Sequence, residues 1–248
     1  MKENEKLMSK KISLPNITLI AATSVNVDQA QTALCISSQN IEFASVKLLS
    51  SYKPSSEINN FEYIPIPQMD IDGYSRLIIK DLHKYFETDF CLVVQEDGFV
   101  IDTNFWDDEF LNYDYIGAPW PDRVKVKLGY RELRLKENKV GNGGFSLRSK
   151  KLVKTSSEID FDKLQFPIKN EDTIICHFLY KDMVEKGINF APLDIASKFA
   201  IEDPNNLYGQ DINSVFGFHG KYFRPIVLEK IYSNLDPKLQ DIINNEKK

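Results

Sequence analysis

An α/β fold with a largely parallel central sheet is what this sequence predicts, on three observations. Two apolar runs, NITLIAAT (16–23) and FCLVV (90–94), are short and rich in β-favouring residues, as buried strands are. Segments with apolar residues three and four apart alternate with them, as helices packed on a sheet should. The connections between these segments are short, so the first hundred residues read β-α-β-α-β, the pattern of a parallel sheet covered by helices.

The elements follow in order. Residues 1–13 are charged and lack an apolar core, which predicts a flexible start and no secretory leader. After the first strand, Asn26 is placed to cap a helix over 26–39, with Val27, Ala30 and Leu34 facing inward. IEFASVKLLSS (41–51) reads as a second strand, 52–60 as a loop, and FEYIPIPQ as an edge piece limited by its prolines. A helix from Gly73 carries Tyr74, Leu77, Ile78, Leu82 and Phe86 on one side. FCLVV then runs into Gln95-Glu96-Asp97-Gly98.

The second half is less regular. Residues 122–139 hold seven basic side chains against three acids, which fits a solvated hairpin or an acceptor-binding arm. GNGGFSLRS (141–149) predicts a tight turn entering a strand, with Phe145 and Leu147 on one face and Ser146 and Arg148 on the other. Residues 150–159 and 169–187 read as helices, the latter opening on acids and closing on Gly187. NFAPLDIASKFAIE reads as extended, and the tail from Pro237 as a short polar helix. We divide the chain into a start at 1–13, one domain at 14–236 and a tail at 237–248. Within the domain, 14–100 is a nucleotide-binding half and 101–236 a loop-rich acceptor half.

Composition narrows the function. A net charge of −5 leaves no general basic footprint, which argues against nucleic acid as a partner. Cys35, Cys91 and Cys176 are far apart in apolar stretches, as reduced core thiols of a cytoplasmic protein would be. No segment is apolar for the roughly 18 residues of a membrane span, so any membrane association is peripheral.

Several polar residues stand where a ligand could use them. In a parallel sheet, ligands bind beyond the carboxyl ends of the strands, and Ala22-Thr23-Ser24, Leu49-Ser50-Ser51 and Gln95-Glu96-Asp97 share that edge. Carboxylates at 96 and 97 suit Mg²⁺ or Mn²⁺, and equally an acid-rich turn. Glu171 and Asp172 could serve as a general base, or simply complement a helix N-terminus. His219, between glycines, could ligate a cation; His83 and His177 read as structural. Trp120, between two prolines, reads as exposed and able to stack on a sugar face.

The blocks QEDGFV (95–100), YDYIGAPW (113–120), VGNGGFSLRS (140–149), NED (170–172) and FGFHG (216–220) carry a resemblance. Their order is similar to that of GT-A nucleotide-sugar glycosyltransferases, over about residues 16–224. YIGAPW with GNGGFSLRS is the specific part of the match; the separate acid motifs are not specific. The resemblance implies a single GT-A-like (Rossmann-like) domain, a nucleoside-diphosphate sugar donor, a glycan or protein acceptor, and Mn²⁺ or Mg²⁺ as cofactor.

Residue by residue, it implies that Asp97 and His219, with Glu96, ligate the metal. Asp172, or Glu171, is the base of an inverting transfer. Thr23, Arg76, Lys80, Gln95, Gly143 and Gly144, together with the two turn acids, lie against the donor. Trp120, Asn142 and Phe145 lie on the acceptor side. Gln95 departs from the family's acid-x-acid pattern and puts metal dependence in question. A nucleotidyltransferase is the competing enzyme class, but it calls for a basic glycine-rich loop after the first strand, and AATSVN has neither Gly nor Lys. A non-catalytic carbohydrate-binding relative is the third reading.

Overall fold

The structure is a computed structural model describing residues 10–246, except 57, 59, 127–130, 136, 161–162, 165, 167–168 and 206–207. For 124–126 and 131–133 it describes the backbone only. Most of the flexible start expected at 1–13 therefore lies outside the described residues.

Strand β1 (Ile12–Thr23) is longer than the apolar run predicts and reaches back to Ile12. Its central residues alternate between two covered faces. Leu19 and Ala21 join one apolar cluster and Ile20 and Ala22 another, which explains why the run is apolar throughout. Helix α1 (Val27–Ser38) returns the chain to β2 (Ile41–Ser50), parallel to β1. Edge strand β3 (Glu62–Pro65) pairs parallel to β2 and stops at its proline. Helix α2 (Ile71–Arg76), capped by Asp70 through Gly73 N–H, continues into a π-helical stretch at Leu77–Asp81 and a 3₁₀ turn at Leu82–Lys84. Strand β4 (Phe90–Val94) then pairs parallel to β1 on its other side.

Strand β5 (Tyr115–Ile116) precedes a separate hairpin of β6 (Arg123–Val126) and β7 (Arg131–Arg134), which occupies part of the basic segment. Strand β8 (Phe145–Ser149) runs antiparallel between β4 and β5, completing a six-stranded sheet of order β3-β2-β1-β4-β8-β5. The fold is thus α/β with a mostly parallel sheet, as the sequence predicts. Helix α3 (Lys150–Ser157), capped by Ser149, packs beside the π-helical stretch and 3₁₀ turn that follow α2.

Three-residue helix α4 (Glu171–Thr173) leads into a π-helical stretch at Ile174–Phe178 and then α5 (Tyr180–Glu185). Helix α6 (Leu193–Phe199) corrects the extended reading of this region. Pro192 leads into it, and Ile195, Ala196 and Phe199 bury one side. It ends in β9 (Ala200–Ile201), paired parallel with β10 (Gly217–Phe218). Helices α7 (Phe223–Ile231) and α8 (Pro237–Glu246) close the fold. The polar tail helix buries Leu239 and Ile243 in a cluster with Val227, Leu228 and residues of α1. None of the described helices is long and apolar enough to cross a membrane.

Two consequences of this topology position everything below. In the sheet, Thr23 lies opposite Ser50 and Ala21 opposite Val94, so β1, β2 and β4 end on one edge as expected. Because β8 is antiparallel, its first residue, Phe145, also pairs with Val94, and the GNGG loop before it opens onto that edge.

Candidate active site

The acids after β4 occupy a two-residue hairpin turn. Gln95 and Gly98 exchange backbone hydrogen bonds at 3.2 and 3.0 Å, leaving Glu96 and Asp97 at its tip. The two side chains part company there. Glu96 faces outward and accepts from Asn26 Nδ2 at 3.1 Å, while Asp97 is only 8% exposed. Asn26, the expected helix cap, has left-handed backbone (φ 52°) and makes no side-chain cap.

His219 meets Asp97 through paired backbone. Val100 bridges to Gly217, His219 N–H donates to Ile201 O at 3.0 Å, and Gly220 N–H donates to Asp97 O at 2.8 Å. The imidazole is thereby held with Nε2 3.3 Å from Asp97 Oδ1 and Nδ1 3.1 Å from Glu202 Oε1. Burial opposes a charge on this ring, but the Asp97 and Glu202 carboxylates outweigh it and lift its pKa to about 10. Burial likewise pushes Asp97 upward, yet its hydrogen bond to His219 leaves it below the ordinary range. Gln95 completes the group: its Oε1 lies 3.3 Å from His219 Nε2 and its Nε2 donates to Tyr74 Oη at 2.8 Å.

The GNGG loop packs directly against these atoms. A Cβ on Gly144 would sit 2.1 Å from His219 Nε2, and one on Gly143 would sit 1.8 Å from Glu171 Oε1. Close approach is what requires glycine here, since the positive φ of this loop (65°) belongs to Asn142. Asn142 is buried, and its Oδ1 accepts from Gly144 N–H at 3.2 Å.

The neighbouring acids of α4 have different surroundings. Glu171 is buried and paired at 2.8 Å with Arg148 Nη2, whose Nε donates to Ser146 Oγ at 3.0 Å. Asp172 is only partly buried; it accepts from Gly143 N–H at 2.9 Å and Thr173 N–H at 2.6 Å. Burial raises the Asp172 carboxyl above the ordinary range, against the pull of the Gly143 amide. Asp172 therefore touches Gly143 and His219 closes on Gly144, so the acid pair and the acid turn flank one two-residue backbone wall.

Other expected site residues lie elsewhere. Thr23 Oγ1 accepts from Val25 N–H at 3.0 Å and shapes the turn after β1 at the same edge. Arg76 lies on the exposed side of α2. Lys80 donates from its ammonium to the carbonyls of Ser157, the last residue of α3, and Ile159, just past it. Trp120 is a correction. It is 5% exposed, because its ring fills the space over Gly141, and it is not a free stacking surface. Phe145 is the second: fully buried, it packs with Phe199 and Phe216 under Gly217 and presents no face to an acceptor.

Tyr74, Arg148, Glu202 and Arg224 were missed by the sequence reading. Arg148 had a signal, a cation two residues from Ser146 on the polar face of a short strand. Arg224, whose Nε donates to Glu96 O at 2.9 Å, had none.

Among solved structures, the chain is similar to galactosyltransferase LgtC, crystallised with donor and acceptor sugar analogs: 16% identity, 91% of this chain, 99% of that chain, TM-score 0.49. It is also similar to the bifunctional IspDF from Campylobacter jejuni (14%, 72% and 48% covered, TM-score 0.42). A third is the mannosyltransferase PcManGT from Pyrobaculum calidifontis, in complex with GDP-Man and Mn²⁺ (11%, 97% and 76% covered, TM-score 0.43). No curated protein matches. A family model described as a protein of unknown function (DUF5672) matches residues 57–219, about two thirds of the sequence, and the chain belongs to that family.

Proposed function

We propose that this chain is a nucleotide-sugar-dependent glycosyltransferase of the GT-A type, transferring a sugar to a hydroxyl of a glycan or protein. The observation that carries the reading is the meeting, across Gly143 and Gly144, of a cation-seeking group with a carboxylate that keeps solvent access. It agrees with the block order QEDG, GNGG, NED, FHG on which the sequence resemblance rests.

A divalent cation fits the first group. Asp97 Oδ1, Gln95 Oε1 and His219 Nε2 converge, and in a neutral ring with its proton on Nδ1 all three would present lone pairs to each other. A positive charge resolves that conflict, either a proton or a metal ion. Glu202 on Nδ1 orients the ring as carboxylates orient metal-binding histidines. Among the described residues no group of three or more His, Cys, Asp or Glu is placed to hold a metal ion, so the protein would supply few charged ligands. That suits Mg²⁺ or Mn²⁺ shared with substrate phosphates. When bound, such an ion relieves the charge developing on the leaving diphosphate.

The chain's own residues do the remaining work. Asp97, Gln95 and His219 would hold that cation at the sheet edge, where the diphosphate end of the donor would lie. The Gly143-Gly144 backbone, without side chains, lets the sugar approach closely. Asp172 removes the acceptor hydroxyl proton as the new glycosidic bond forms, the role of a base in an inverting transfer. Glu171, paired with Arg148, holds the loop in place. Bringing donor and acceptor to one wall supplies much of the acceleration.

Slow hydrolysis of a nucleotide sugar without acceptor tests the reading. The expected result is release of one nucleoside diphosphate from a panel of donors in Mn²⁺ or Mg²⁺, abolished in Asp97→Ala. Nucleotide binding with no hydrolysis of any donor, and no transfer to glycan or protein acceptors, would favour the non-catalytic relative.

A further inference from the structure

Gln95 stands where the acid-x-acid pattern has its first carboxylate, and its amide is fully engaged. Nε2 donates to Tyr74 Oη at 2.8 Å, which anchors the amide from one end, and Oε1 at the other end lies 3.3 Å from His219 Nε2. The same nitrogen faces Asp97 Oδ1 at 3.3 Å. Tyr74 comes from α2, a different element, and is 9% exposed, so solvent offers its hydroxyl little competition. Gly144 closes over the trio: a Cβ there would lie 2.8 Å from Gln95 Oε1 as well as 2.1 Å from His219 Nε2. The hydrogen bond from Gln95 to Tyr74 ties the amide beside the Asp97–His219 pair to the core through Tyr74.

We propose that Gln95 Oε1 is a neutral third ligand of the cation site and that Tyr74 is the residue positioning it. This rests on the reading that the site holds a divalent cation. Amide carbonyl oxygens are good ligands for Mg²⁺ and Mn²⁺, so replacing an acid by glutamine keeps the ligand and removes its charge. A site with a single carboxylate attracts a bare cation less than one with two, and repels a diphosphate less. The cation is therefore expected to enter together with the nucleoside diphosphate.

The test is Mn²⁺ binding, followed by the electron paramagnetic resonance signal of the free ion, to the full-length protein. It is run with Mn²⁺ alone and with a panel of nucleoside diphosphates. Tyr74→Phe should weaken Mn²⁺ binding by about 10-fold, the usual scale for losing an outer-shell partner. Gln95→Leu should weaken it at least as much. Gln95→Glu should tighten binding of Mn²⁺ alone and lessen the gain from added diphosphate. Gln95→Leu leaves Tyr74 in the core, so it decides the matter even if Tyr74→Phe melts early without metal. Unchanged Mn²⁺ binding in both Gln95→Leu and Tyr74→Phe, with loss in Asp97→Asn, would overturn the inference and leave the cation site standing. Absence of Mn²⁺ binding to the unaltered protein, with and without diphosphate, would overturn the inference and the cation site together.

Discussion

Glu171 and Asp172 are adjacent, yet their environments assign them opposite work. Glu171 is tied to Arg148 inside the sheet, and a buried ion pair that loses one partner leaves a charge without compensation. Arg148→Met should therefore cost about 3–5 kcal/mol, whereas Arg148→Met combined with Glu171→Leu should recover most of it. Urea midpoints at constant slope would measure both. Burial pushes both carboxyls upward, Glu171 against the pull of Arg148, and Asp172 is the one with the greater solvent access. Burial raises its pKa, so the folded chain holds its proton more tightly than the unfolded chain does. The stability from that proton is complete below the unfolded pKa and is lost as pH rises through the folded one. At neutral pH the ionised carboxylate is a cost to the fold that catalysis needs. Asp172→Asn should melt no lower than the unaltered protein at pH 7 while turnover falls about 10²–10⁴-fold. With Asp172 as the proposed base, the acid limb of kcat against pH should lie above the ordinary carboxylate range. Sequence alone puts both acids at a helix start, but it cannot separate them, because the separating partner, Arg148, is 23 residues away.

Strands and their ends are legible where local pattern decides them. Strands β1, β2 and β4, edge strand β3 and helix α1 follow from apolar spacing and proline placement. Helix α6 does not, since NFAPLDIASKFAIE mixes β-favouring residues with a helical spacing that only tertiary packing selects. The π-helical stretches were equally hidden. One follows α2, which carries Tyr74, and the other follows α4, which carries Asp172. Helix α8 shows how far an element's role can lie from its composition. Glu246 accepts from Thr32 Oγ1 at 2.6 Å and pairs with Arg224 at 2.5 Å, and Arg224 in turn holds the carbonyl of Glu96 in the acid turn. Removing residues 237–248 exposes the sites of Leu239 and Ile243 and should cost about 3–6 kcal/mol, at roughly 1.5–3 for each buried side chain. The subtler change, Glu246→Gln, should leave melting nearly unchanged and weaken metal-dependent nucleotide binding, measured by calorimetry. Equal binding in the two proteins would confine α8 to packing.

At the scale of the whole molecule, the candidate site exists because one strand runs backwards. Strand β8, antiparallel between β4 and β5, delivers GNGG to the edge where the parallel strands end, and the β9–β10 pair delivers His219 to the same place. The sequence displays the blocks and their order. It does not display that Gly143 and Gly144 separate Asp172 from His219, because that depends on contacts between residues as much as 124 positions apart. A side chain on the wall should therefore act on both halves at once: Gly144→Ala is expected to destabilise by about 1–3 kcal/mol through overpacking. It should also abolish metal-dependent nucleotide binding, since His219 must move. Thermal melting reports most simply whether this edge holds a metal-bound nucleoside diphosphate, as proposed. With ligand at 100 times Kd the native state gains about 2.7 kcal/mol, a rise of roughly 5–10 °C for a chain of this size. That rise is expected for one nucleoside diphosphate with Mn²⁺ or Mg²⁺, with its loss in EDTA and in Asp97→Ala and its persistence in Lys80→Ala. A rise that survives both EDTA and Asp97→Ala, or a flat response across all nucleotides in well-folded protein, would contradict the proposal.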